Sequence, residues 1–510
     1  MPEHVETVVV GAGSAGAVIA ARTTESAARQ VLLLEAGPDY CEPAHLPEDL
    51  ADGRYNSMTR HDWGYRHRPT VEQVRFPLPR GKVVGGSSAV NTCIALRGQP
   101  ADYDEWAERG LPQWSWAQCL PAFKRLETDL DFDEPWHGRE GPLPLRRHTQ
   151  EELASWQSAF LEGCDQRGHP QCEDTNRPGS HGAGPHTMNR IEGRRISAAE
   201  AWLTPSVRAR SNLSIQPGAQ VLRILTRNGK VTGVEAQVGR QIFCVQTKQV
   251  VLCAGAIGTP TILLRSGVGP RDELSRLGVD LVADVPGVGA RLLDHPGVAF
   301  FMRPKWGRSH RGAPLIQTVL RVPSGAAGAL PDLQVQPGSS VPLPWIHLPL
   351  VSMMAVVGKP VGHGSIRWPS LRLADRPIIE SRFLEDATDR KVAMDGLQIA
   401  LDLVHSPAMR DFGAHFYPSR KTLQERSRLE RWIRKGCDSG YHPCGTAPMG
   451  PDDDPGAATD GHGRVRGVTG LIVADASLMP TIPSANTNLC TLMIGERFGE
   501  WLRDGTLQSG

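Results

Sequence analysis

Residues 6–37, ETVVVGAGSAGAVIAARTTESAARQVLLLEAG, carry the reading on which the fold rests. The apolar run Val8 to Val10 enters a glycine loop, an amphipathic helix follows, and a second apolar run, Val31 to Leu34, ends at Glu35. Short unbroken apolar runs bounded by turn residues fit strands buried on both faces of a parallel sheet. Gly11, Gly13 and Gly16 have the G-x-G-x-x-G spacing. The first permits a tight turn, the second lets the backbone approach a pyrophosphate, and the third lets the helix lie close on the strand. Free N–H groups of the first helical turn then face the phosphates, and Glu35 stands where an acid can hold a ribose hydroxyl. An acid there disfavours a 2'-phosphate, which argues against NADP and leaves FAD and NAD open. The later runs GVGPRDE and GVGARLLDH lack the third glycine, so one dinucleotide site is expected. The expected fold class is α/β, with a Rossmann-type domain.

A chain of 510 residues exceeds one ordinary core, so two domains are expected. Lys plus Arg number 56 against 55 Asp plus Glu, a net charge of +1, and no basic block is interleaved with aromatics. That balance gives nucleic acid or an anionic membrane no electrostatic hold. The strand at Val8 leaves no room for a cleavable leader, and no apolar run approaches the roughly 20 residues of a membrane span. The ten cysteines show no C-x-x-C and no Cys/His set at zinc spacing, which fits reduced thiols, a cytoplasmic location and no metal site.

Further along, RGKVVGGSSAVNTCIALRG holds a Gly85-Gly86 pair that lets the backbone touch a flat ligand, while Ser87, Ser88 and Asn91 offer hydrogen bonds to it. Residues 53–79, irregular and rich in Arg, His and Pro, read as an excursion that covers the site. Between about residues 296 and 434, short runs separated by Pro and Gly predict a second domain on a mainly antiparallel sheet. In GYHPCGTAPMG, Pro443 biases His442 to an extended backbone, so the imidazole is presented from a fixed loop. Cys444 reads as a small apolar filler. Asn488, ahead of LCTLMIGERFGEWL, reads as the N-cap of a packed helix. Trp63, Trp345 and Trp368 are candidates for a pocket wall.

Taken in order, GAGSAG with Glu35, RGKVVGGSSAVN, GAIGTPTILLRSGVG, and YHPCGTAPMG with ADASLMPTIPSANTN resemble the glucose-methanol-choline (GMC) oxidoreductases, FAD-dependent enzymes acting mostly on alcohols. The resemblance implies an FAD-binding domain from residues 1–148, 190–296 and 432–510, interleaved with a substrate domain from residues 149–189 and 297–431. It implies that Gly11, Gly13, Ser14, Gly16, Glu35 and Ala36 hold the ADP half, and that Gly86 and Asn91 lie along the flavin and pyrophosphate. The backbone of Val221 would meet the adenine, and Asp475 and Ala476 the ribityl and pyrophosphate region. The helix start near Asn488 would point its positive end at the flavin. Some family members attach flavin through a histidine just before the asparagine of the Gly-Gly-Ser-Ser segment; Val90 stands there in this chain, so non-covalent FAD is expected.

Oxidising an alcohol through flavin requires loss of the hydroxyl proton and transfer of a hydride to flavin N5. A base with a pKa near neutrality suits the first step, and an ordinary histidine near 6.5 supplies it. His442 matches the family's catalytic histidine, and Asn486 matches a second position, His or Asn in the family, whose amide holds the alcohol oxygen. The implied activity is oxidation of a primary or secondary alcohol to the carbonyl, with O2 or a redox carrier of the quinone or mycofactocin kind as electron acceptor. A flavin-containing hydroxynitrile lyase is the more distant alternative. The expected partner is a small-molecule alcohol, and the oligomeric state is left open.

Overall fold

The computed structural model describes residues 3–133, 135–310, 312–343 and 346–507. The strand Thr7–Val10 lies at the centre of a five-stranded parallel sheet. Val31–Leu34 and Gln249–Leu252 flank it, with Leu213–Gln216 and Leu471–Val473 at the edges. The three inner strands are buried at every position, which is why they read as nearly unbroken apolar runs. Gly11 has φ +99°, and a Cβ there would lie 2.5 Å from the Cys253 carbonyl oxygen. A Cβ on Gly16 would lie 1.8 Å from the Gly11 oxygen, so only a glycine lets the helix Ser14–Thr23 come this close to the strand.

The helix Thr487–Arg503 lies along the helix Ser14–Thr23. A Cβ on Gly495 would stand 2.9 Å from the Val18 Cβ and 3.0 Å from the Ala15 oxygen, and one on Gly499 2.6 Å from the Arg22 Cβ. Between these glycines Glu496 accepts from Arg22 Nε at 2.8 Å and from the Trp202 indole at 2.9 Å. The fingerprint helix and the helix that follows the candidate catalytic loop are thereby one packed unit.

A second sheet of seven strands is antiparallel throughout its pairings. Its inner strands are Pro296–Pro304, Ile346–Val357, Leu333–Leu343 and Thr318–Val322, and Gly182–Pro185 joins at one edge. The helices Ser155–Gln166 and Ala387–Val404 cover one face, where Trp156, Phe160 and Leu397 share a core with Val298, Phe300 and Met353. The other face is turned to a cavity, so this sheet shows the in-and-out alternation that the parallel sheet lacks. The strand Arg66–Arg68 pairs in parallel with Ile378–Glu380, which ties the irregular stretch at residues 53–79 to the second half of the chain. Among the described residues no helix is long and apolar enough to cross a membrane.

Gly495→Val would press two methyl groups into the Ala15–Val18 surface, an overpacking that costs about 1–3 kcal/mol. The expected result is a lower thermal unfolding midpoint, read by calorimetry; an unchanged midpoint would refute the tight helix contact.

Candidate active site

A cavity of about 710 Å³ lies between the parallel sheet and the uncovered face of the antiparallel one. Its wall includes Gly11, Gly13, Ser14, Glu35 and Ala36 from the first motif, and Gly86, Asn91 and Val221 from the next segments. His442, Asp475, Ala476, Asn486 and Asn488 complete it from the C-terminal portion. Gly16, Gly85 and Ser88 are absent from the wall: Gly16 faces the Gly11 carbonyl, the packing role its place in the fingerprint assigns, and Ser88 Oγ is taken by the Gly85 carbonyl and the Ala198 N–H at 2.6 and 2.9 Å. Trp63 lines the cavity, whereas Trp368 is buried elsewhere and donates its indole N–H to Thr261 at 3.0 Å. Trp345 lies outside the described residues.

The residues present fit a dinucleotide. A Cβ on Gly86 would lie 2.7 Å from the Gly13 Cα, so the two glycine loops touch beneath the cavity. The helix Ser14–Thr23 has no side-chain cap and no acid in its first turn, which leaves N–H donors for an anion. Glu35 accepts from the N–H groups of Ala12 at 2.9 Å and Gly37 at 2.8 Å; burial nevertheless pushes its pKa up to about 7. The Asp475 carboxylate is filled from within: Gly255 N–H and Thr259 Oγ1 donate to one oxygen at 2.7 and 2.6 Å, and Ser477 N–H and Oγ to the other at 2.7 and 2.5 Å. Asp475 therefore clamps two segments of the wall together. Ser14 Oγ donates to Asn488 Oδ1 at 2.8 Å, a second tie between the fingerprint and the last helix. That helix starts two residues earlier than the sequence suggests: Asn486 occupies the N-cap and Asn488 lies inside. Neither side chain caps the helix, because one amide is held by Ser14 and the other by His442.

At the catalytic end, hydrogen bonds fix the state of His442. His295 Nε2 lies 3.0 Å from the Pro483 carbonyl, an obligate acceptor, so it carries the proton and His295 Nδ1 is left with a lone pair. His442 Nδ1, 2.9 Å from that lone pair, must donate. The unprotonated Nε2 of His442 then points to Asn486, whose Nδ2 is 2.9 Å away. Asp294 aligns both rings by accepting the backbone N–H of His295 at 2.8 Å and of His442 at 2.9 Å. Tyr441, just before His442, is held at φ +64°, a region that few non-glycine residues adopt. Burial, then the neighbouring His295 and Arg80, lower the His442 pKa well below 6.5. The ordinary value expected from sequence is thereby corrected, since the ring sits among packed neighbours and beside a guanidinium. Burial likewise lowers His295 to about 4, so both rings are neutral at neutral pH. Sequence reading missed His295 and Asp294, although His295-Pro296 repeats the His-Pro pair of His442-Pro443.

The loop carrying Asn486 is held through its carbonyls. Lys359 donates to Ile482 O at 2.9 Å, His295 to Pro483 O, and Arg321 and Gln334 to Ser484 O at 3.2 and 3.3 Å. Asp102 accepts from Ser484 N–H at 3.0 Å and from its Oγ at 2.7 Å. Cys444 is buried outside the cavity wall, and burial raises its pKa well above 9, as suits a filler thiol.

Apart from the cavity, Glu127, Asp129 and His137 cluster closely enough to suggest a cation site. Their charge is met within the protein. Arg97 pairs with Glu127 at 2.5 Å, and Arg147 with Asp129 and Asp174 at 2.5 and 2.8 Å. His137 contacts Asp129 and Asp174, each at 2.9 Å. Burial opposes a charge on His137, but hydrogen bonds to Asp129, Asp174 and Glu127 prevail and push its pKa up to about 10. A histidine raised in the fold contributes stability in full below its unfolded value near 6.5 and loses it as pH climbs through about 10. His137→Gln is expected to flatten the fall in unfolding midpoint between neutral pH and that value. An unchanged slope would contradict the protonated state.

The chain matches the GMC oxidoreductase models over residues 5–297 and 360–495. It is 34% identical to 5-(hydroxymethyl)furfural oxidase of Methylovorus sp. (strain MP688), with 97% of each chain covered. It is 31% identical to the oxygen-dependent choline dehydrogenase of Vibrio vulnificus (strain YJ016), over 98% of this chain and 94% of that one. The crystal structure of pyridoxine 4-oxidase from Mesorbium loti superposes with a TM-score of 0.89 at 29% identity, covering 98% of this chain and 99% of that one. The chain belongs to the GMC oxidoreductases, FAD-dependent enzymes acting on CH–OH groups.

Proposed function

We propose that this protein binds FAD without a covalent bond and oxidises a primary or secondary alcohol to the carbonyl, with His442 Nε2 as base and Asn486 holding the alcohol oxygen. The observation that carries the reading is the ordered chain Pro483 O, His295, His442, Asn486, which leaves an unprotonated nitrogen beside an amide donor in the cavity. An alcohol entering there replaces the direct His442–Asn486 bond: its hydroxyl donates to Nε2 and its oxygen accepts from Nδ2. As the proton moves to Nε2, the imidazolium forms against the His295 lone pair, and the Asn486 N–H faces the developing negative charge on oxygen. Bound FAD supplies the hydride acceptor. Gly11, Gly13, Ser14, Glu35, Ala36 and Val221 would hold its ADP portion, and Gly86, Asn91, the backbone of Asp475 and Ala476, Asn488 and the N-terminus of the helix Thr487–Arg503 the rest. Val90, on the cavity wall, offers no nucleophile for attachment, which supports dissociable cofactor. Residues 1–148, 190–296 and 432–510 form the cofactor domain in this reading, and residues 149–189 and 297–431 the substrate domain. The names of two relatives, an oxidase and an oxygen-dependent dehydrogenase, favour O2 as acceptor over a carrier. Ten free cysteines support a cytoplasmic location.

His442→Ala is expected to slow anaerobic flavin reduction by a factor on the order of 10² to 10⁴ while the protein retains its flavin spectrum. Near-normal reduction would remove the assigned role. Because His442 is held below its ordinary pKa, it stays unprotonated into mild acid, so the reduction rate should be sustained below pH 6.5. His295→Leu deprives the Nδ1 proton of its acceptor. It should lower kcat more than it raises KM and move the acid limb; an unaltered pH profile would leave His295 a packing residue only.

A further inference from the structure

The cavity face of the antiparallel sheet carries a chemistry that the reacting pair does not use. Strand register aligns Gly297, Val356 and Gln334 in one row, Ala299, Met354 and Gln336 in the next, and Phe301, Ser352 and Gly338 in a third. All nine line the cavity. Its lower rows are thus small or apolar residues interrupted by two glutamines, both nearly buried. The orientation of each amide follows from one obligate acceptor. The Ser484 carbonyl can only accept, so Gln334 turns its Nε2 to it at 3.3 Å and its Oε1 away. Gln336 must then turn its Nε2 to that Oε1, at 2.9 Å. What remains is the carbonyl Oε1 of Gln336, to which no described residue donates, on a residue of the cavity wall. Ser484 is two residues before Asn486, so the Cα atoms of the anchor and of Asn486 lie within about 7 Å of each other.

The carboxylates of the wall are otherwise engaged. Glu35 and Asp475 accept backbone N–H groups, Asp438 pairs with His67 at 3.0 Å, and Asp375 pairs with Arg372 at 2.9 Å. A substrate with a second O–H or N–H therefore finds one oriented acceptor on this wall. We propose that Gln336, set by Gln334 and the Ser484 carbonyl, is a specificity residue that selects alcohols bearing a second hydrogen-bond donor remote from the reacting hydroxyl.

The inference rests on the alcohol-oxidation reading, and the test separates the two. Anaerobic flavin reduction of the FAD-loaded protein is measured with benzene-1,4-dimethanol and with 4-methylbenzyl alcohol, which has the same ring and one hydroxyl fewer. The diol is expected to be favoured in kcat/KM by about tenfold after allowance for its two equivalent groups, because a buried acceptor left unpaired penalises the mono-alcohol. Gln336→Leu should abolish that preference, because the diol loses its acceptor and the mono-alcohol no longer leaves one unpaired. Gln336→Met, of similar shape, repeats the test should the leucine variant not fold. A preference that survives in either variant, or a wild type that reduces with both alcohols equally, overturns the inference alone. Absence of reduction with both alcohols in a protein that holds FAD overturns the oxidation reading and the inference with it.

Discussion

Close contact between the helices Ser14–Thr23 and Thr487–Arg503 brings the two ends of the site together. Two hydrogens, on Gly495 and Gly499, let the helices meet against Ala15, Val18 and Arg22. The buried carboxylate of Glu496 is satisfied there by Arg22 and Trp202, so the contact carries a charged group without leaving it unpaired. Ser14 and Asn488 add a direct bond. Once this unit is formed, the glycine loop and the loop bearing Asn486 have a fixed separation, and the antiparallel sheet can close over them.

Rigidity at the reacting end comes from backbone carbonyls and one buried acid. Four side chains, from Lys359, His295, Arg321 and Gln334, hold three successive carbonyls ahead of Asn486. Asp294 holds the N–H groups of both histidines. Such groups are costly to bury without partners, and each partner here also fixes a direction. The tautomer of His442 and the amide orientation of Gln336 both trace back to this short loop, through Pro483 and Ser484.

Several elements were legible in the chain itself. The fingerprint declared its strand, turn and helix because the glycine requirements are local, and the parallel strands declared themselves because burial on both faces leaves no polar positions. The alternation of the second sheet was weaker, since its cavity face mixes Gly, Ala, Phe, Gln and Met, a pattern set by a ligand surface rather than by water. The start of the last helix was placed two residues late because two asparagines compete for one cap, and their side chains are claimed by partners remote in sequence.

By itself the sequence determined a dinucleotide fold with one glycine fingerprint, a histidine presented from a proline-braced loop, and the family to which those motifs belong, since each depends on residues a few positions apart. Only the tertiary structure decided that His295 sets the proton on His442, that Asp475 is spent on clamping the wall, and that Gln336 presents an oxygen to the cavity. Those states depend on partners from 147 to over 200 residues away in the first two cases and on a carbonyl 150 residues away in the third. Hydrogen-bond direction is a property of the assembled network, and no local pattern encodes it.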